Sequence, residues 1–116
     1  MVKVFVYGTL RAGQSNHHLL RQATRVGAYQ LVYGYQLYDL GCYPAAKKSE
    51  AVNLPLVGEV YCIDDDTLAV LDRLEEYPEV YTRERIETHY GLAWVYLYRL
   101  STDLLPLIPS GDWCQR

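Results

Sequence analysis

A chain of 116 residues, half of them hydrophobic and 22% charged, fits a single domain spanning 1–116, with no linker or repeat to divide it. Such a length buries about two-thirds of the surface of its unfolded chain, so it needs no staple. A net charge of −3 with scattered basic residues excludes the cationic footprint of a nucleic-acid partner, and no apolar run nears the ~20 residues of a membrane span.

Val2-Lys3-Val4-Phe5-Val6 opens the chain as a strand, since Val and Phe favour extended backbone. Tyr7-Gly8-Thr9-Leu10-Arg11 follows as a loop in which Gly8 permits a backbone excursion or a close approach. Ser15-Asn16 offers a cap for a short helix, Asn16 to Gln22. Strand, glycine turn and helix together aim backbone N–H groups above the strand, where an anion or a developing oxyanion would sit. The same pattern is also an ordinary turn of α/β domains.

Thr24 to Leu31 and Tyr33 to Leu40 read as strands, the second broken by Gly41-Cys42-Tyr43-Pro44. Lys47 to Pro55, with its charges, Asn53 and Pro55, reads as an edge strand or loop, and Val57 to Ile63 as a strand. Asp64-Asp65-Asp66 predicts a helix from Asp65 to about Glu75, capped by carboxylates and closed by Pro78. Tyr81 to Tyr90 and Leu92 to Leu100 form a hairpin about His89-Tyr90-Gly91, and the apolar tail from Leu104 to Trp113 docks on the body. Six or seven strands with two helices predict an α/β (α+β) fold, a small mixed-strand sheet curled towards a barrel.

At 100° per residue, Leu68, Leu71 and Leu74 form the buried stripe of the second helix, and Glu75 falls about 20° from Leu68. Glu75 therefore points inward, while Glu76 and Arg73 face water. Burial, the helix C-terminus and like charges at Asp72, Glu76 and Glu79 would all raise its pKa, as a general acid/base near neutral pH requires. The alternative is an ion pair between Glu75 and Arg83 or Arg85.

Other constellations offer less. His17 and His18 do not share a helix face and Cys42, Cys62 and Cys114 lack C-x-x-C spacing, so no metal site is expected, and no G-x-S-x-G elbow surrounds a serine to make it a nucleophile. The odd cysteine count, and the absence of an export-signal pattern after Met1, predict a cytoplasmic protein. Arg11 is a solvated loop arginine or a partner for a substrate carboxylate. Tyr77, Tyr81, Tyr96 and Tyr98 line a pocket or pack the sheet.

Taken in order, Val4-Phe5-Val6-Tyr7-Gly8-Thr9-Leu10-Arg11, Gly58-Glu59-Val60-Tyr61, Leu71-Asp72-Arg73-Leu74-Glu75, Tyr81-Thr82-Arg83, Val95-Tyr96-Leu97-Tyr98 and Ser110-Gly111-Asp112-Trp113 resemble the gamma-glutamylcyclotransferase-like superfamily. The short chain is most similar to its small bacterial YtfP-like branch, and the Tyr-Gly-Thr-Leu loop also to gamma-glutamylamine cyclotransferase. The resemblance implies a small mixed barrel, a pocket roofed by Tyr7, Gly8, Thr9 and Leu10, and Glu75 as the catalytic glutamate. It further implies a γ-glutamyl amide substrate that releases 5-oxoproline with neither metal nor organic cofactor. Family members often carry Gly after that glutamate, whereas Glu76-Tyr77 follows here. A non-catalytic module that binds an amino-acid-like ligand on the same fold is the other reading.

Overall fold

Alternation along the first strand divides the core. In the computed structural model, which describes residues 1–50 and 54–116, Val4 and Val6 bury on one face of a central sheet and Phe5 and Tyr7 on the other. The elements run β1 (Val2–Val6), β2 (Thr24–Leu31), β3 (Tyr35–Asp39), β4 (Pro44–Lys48), β5 (Leu56–Ile63), α1 (Asp65–Leu74), β6 (Tyr81–Thr88) and β7 (Gly91–Tyr98). The central sheet has the order β2-β5-β1-β7-β6, and β3 and β4 form a separate two-stranded sheet. β1 is antiparallel to β5, with Val6 opposite Glu59, and parallel to β7, with Val4 opposite Trp94.

Each face has its own cover. Leu71 of α1, flanked by Leu68 and Leu74, packs with Leu20, Val4, Val6 and Tyr96 on one side, as the leucine stripe predicts. On the other, Leu37 of β3 and Ala46 of β4 close over Phe5, Val60 and Val95. The expected mixed α/β class holds, with the expected curl taking the form of a hairpin laid across a sheet. The tail docks as expected: Asp39 N–H donates to Pro106 O at 2.9 Å and Ile108 N–H to Leu37 O at 2.7 Å, and Trp113 is buried. No helix among the described residues is long and apolar enough to cross a membrane.

Boundaries shift where local chemistry overrides the pattern. The predicted helix from Asn16 to Gln22 is a single 3-10 turn, His17–Leu20; Asn16 makes no side-chain cap, and its Nδ2 donates to Thr9 Oγ1 at 3.0 Å. Its N–H groups reach back three residues, as from Leu19 to Asn16 O (3.1 Å). The strand expected from Tyr33 begins at Tyr35, after Gly34 at φ +95°. Pro44, expected to break the chain, instead opens β4, where a strand's first residue tolerates a missing N–H. Of the segment expected over Lys47 to Pro55, Ala51, Val52 and Asn53 lie outside the described residues. The last hairpin turns on His89-Tyr90, with Thr88 paired to Gly91.

Candidate active site

β1 delivers the Tyr7 to Leu10 loop to one end of the sheet. Tyr7 is buried, and its hydroxyl donates to Tyr96 O at 2.7 Å, fixing the strand exit to β7. Gly8 is required for packing: a Cβ there would lie 2.2 Å from Pro44 Cγ, so the β4 proline sits directly on the loop backbone. The Gly8 carbonyl accepts from Arg11 N–H (3.0 Å) and the Thr9 carbonyl from Asn16 N–H (2.8 Å). The N–H groups of Gly8, Thr9 and Leu10 donate to no protein acceptor among the described residues.

Glu75 meets this loop from the other side. It ends α1 in helical backbone (φ −84°, ψ 0°), donating its N–H to Leu71 O at 2.9 Å, so the leucine periodicity carries its side chain inward. The half-buried carboxyl has its pKa pushed up to about 7 by burial. Burial is the cause, rather than the neighbouring carboxylates: Asp72 is turned to Arg83, and Glu76 and Glu79 are exposed.

The two meet across a pocket walled by Tyr7, Gly8, Thr9, Leu10, Tyr43, Pro44, Glu75, Tyr81 and Tyr96. Tyr81 hydroxyl donates to Pro44 O at 2.6 Å, and Tyr96 hydroxyl to Asp72 Oδ1 at 2.7 Å. Burial holds the Tyr7, Tyr81 and Tyr96 phenols above their ordinary pKa, and the nearby Glu75 charge adds to each. They stay protonated, giving the carboxyl a ring of neutral neighbours. Tyr98 stands farther out, its ring edge against Tyr81 with centroids 5.2 Å apart, on an adjoining cavity that also touches Glu75.

Two expectations need correction. Arg11 is neither solvated nor among the residues lining the pocket: its Nε lies 2.8 Å from Glu59 Oε2 and its Nη1 2.5 Å from Asp112 Oδ1. Glu59 also accepts from Ala12 N–H and Tyr61 hydroxyl, both at 2.9 Å, so the loop is anchored from behind. The ion pair between Glu75 and Arg83 or Arg85 does not form. Arg83 grips Asp72 and lies over the Tyr77 and Trp94 rings, and Arg85 covers Trp94. The pocket walls Tyr43 and Pro44 come from a segment read only as a break; their pairing with the loop is long-range and leaves no local signal.

Comparison with known proteins agrees with this architecture. Residues 4–115 match the family described as "Gamma-glutamyl cyclotransferase, AIG2-like". A Vibrio cholerae relative is 49% identical over 113 residues, covering 97% of this chain and 96% of its own. The "Gamma-glutamylcyclotransferase family protein YtfP" of Escherichia coli K12 is 45% identical, covering 99% of this chain and 98% of its own. The solution structure of Escherichia coli ytfP superposes with a TM-score of 0.79 at 46% identity, covering 97% of this chain and 96% of that one. The crystal structure of PH0828 from Pyrococcus horikoshii gives a TM-score of 0.84 at 31% identity, with 97% and 90% covered. On a match that runs from the first strand through the docked tail, the chain belongs to the gamma-glutamyl cyclotransferase, AIG2-like family.

Proposed function

We propose that this protein is a cyclotransferase acting on a small γ-glutamyl amide, with Glu75 as its general acid/base. The observation that carries the reading is an inward carboxyl, free of a cationic partner among the described residues, facing a loop with three unused N–H groups. Glu75 takes a proton from the substrate α-ammonium, and the freed nitrogen lone pair forms a bond to the γ-carbonyl carbon. The tetrahedral oxyanion, or the α-carboxylate, accepts from Gly8, Thr9 and Leu10 N–H. As the ring nitrogen gives up its second proton, the carbonyl re-forms and the C–N bond to the leaving group breaks. Its electron pair stays with that nitrogen, which Glu75 protonates. The two protons lost by the ammonium are recovered in the departing alkylammonium, and the ring leaves as 5-oxoproline.

A pKa pushed up to about 7 places Glu75 where it both accepts and returns a proton near neutral pH. Because the nucleophile belongs to the substrate, the pocket's task is to hold a folded conformer. Free Cys42, Cys62 and Cys114 fit a cytoplasmic setting. The test is a panel of γ-glutamyl amides assayed for 5-oxoproline with the parent and Glu75→Gln. Release by the parent and a loss of about 10²–10⁴-fold in the variant supports the reading; equal release by both overturns it.

A further inference from the structure

Beside this pocket lies a second cavity that shares Thr9, Tyr43, Glu75 and Tyr81 with it and adds Leu40, Glu76, Val80 and Tyr98. Gly8 and Leu10 line the inner pocket only, whereas Glu75 lines both. A substrate whose glutamyl carboxylate rests on the loop N–H groups would therefore have its scissile amide at Glu75 and its leaving group in the outer cavity. We propose that the outer cavity is the leaving-amine subsite and that it selects amines carrying a second, positively charged nitrogen. This rests on the cyclotransferase reading and narrows its substrate class.

The lining carries the selection. Glu75 and the exposed Glu76 are among its lining residues, and neither Arg nor Lys is. The nearby guanidiniums are engaged elsewhere, Arg83 on Asp72 and Arg99 on Pro78 O. Glu76 is held at the rim by its backbone: φ is +51°, its N–H donates to Arg73 O at 3.2 Å, and its carbonyl accepts from Val80 N–H at 3.0 Å. Tyr81 and Tyr98 supply rings, whose faces favour a cation. A leaving group ending in a carboxylate would meet Glu76 with no counter-charge, while a diamine would set its far ammonium against it.

Three γ-glutamyl amides of matched reach separate the outcomes: those of butylamine, of diaminobutane at one nitrogen, and of an ω-amino acid with a free carboxylate. 5-oxoproline release should be about two- to fivefold faster in kcat/KM for the diamine than for butylamine, the size of one exposed charge pair, and slowest for the carboxylate. The advantage should shrink as salt is raised and disappear in Glu76→Gln. A carboxylate amide used as well as the diamine, or a diamine advantage unchanged in Glu76→Gln, overturns the subsite. No release from any of the three overturns the cyclotransferase reading, and the subsite with it.

Discussion

Asp72 holds Arg83 in a two-pronged grip, with Nε 2.9 Å from Oδ1 and Nη2 3.2 Å from Oδ2, and thereby keeps the guanidinium away from Glu75 three residues further on. The same Oδ1 accepts from Tyr96 hydroxyl, whose backbone carbonyl in turn receives Tyr7 hydroxyl. One carboxylate is thus spent so that the next stays unpaired.

Asp72→Asn should therefore act at a distance as well as locally. Removing the charge beneath a partly buried guanidinium costs about 1–3 kcal/mol. With Asp72 neutral and Arg83 released, the Glu75 carboxylate becomes easier to form, so the ionisation seen in kcat/KM should move to lower pH. Urea unfolding and a pH profile check the two halves.

Glu75 should weaken the fold in the pH range where it works. Its folded pKa, about 7 against an ordinary 4.5, means that between those values the native state holds a proton the unfolded chain has released. Stability from this group falls as pH rises through that window, by on the order of 3 kcal/mol in all, and stays lost above it. Glu75→Gln should be inactive yet more stable than the parent at pH 8, with the gain vanishing near pH 4. Parallel denaturant titrations at the two pH values measure this.

Gly8→Ala should damage the pocket through Pro44. A Cβ 2.2 Å from Pro44 Cγ forces the β4 start outward, and with it the Pro44 carbonyl that holds Tyr81 hydroxyl. Overpacking of this kind costs about 1–3 kcal/mol, more for Gly8→Val. Thr9→Ala, which removes only the contact from Asn16 Nδ2, should cost about 1 kcal/mol. Thermal melts rank the three.

Glu76→Gly should stabilise the protein by about 1 kcal/mol. The residue after the helix sits at φ +51°, a left-handed conformation that glycine adopts without the clash a Cβ brings. The Glu75-Glu76 pair thus puts a side chain at a position where glycine is conformationally favoured. A raised melting temperature checks it.

The periodic parts of the fold were legible in the sequence. Leu68, Leu71 and Leu74 repeat at helical spacing, so they placed α1 and the inward turn of Glu75, and the β-favouring residues Val4, Phe5 and Val6 marked β1 as a strand. What stayed hidden depends on partners far along the chain. Arg11 reads as solvated until Glu59 and Asp112, 48 and 101 residues away, are brought to it. Arg83 had two acidic candidates on one helix, and only the direction of each side chain distinguishes Asp72 from Glu75. The Tyr43-Pro44 wall is set by the fold of the β3–β4 hairpin over the sheet, which no local pattern encodes.

Among the described residues, that hairpin shares no backbone ladder with the central sheet; side-chain packing and bonds to the docked tail, such as Ile108 N–H to Leu37 O, hold it in place. Its detachment would leave all five central strands paired, yet would take Tyr43 and Pro44 from the pocket and strip Tyr81 hydroxyl of its acceptor. Such an opening costs less than global unfolding. Where the hairpin opens first, activity is lost while the sheet persists, and activity then gauges the hairpin's attachment rather than the fold as a whole.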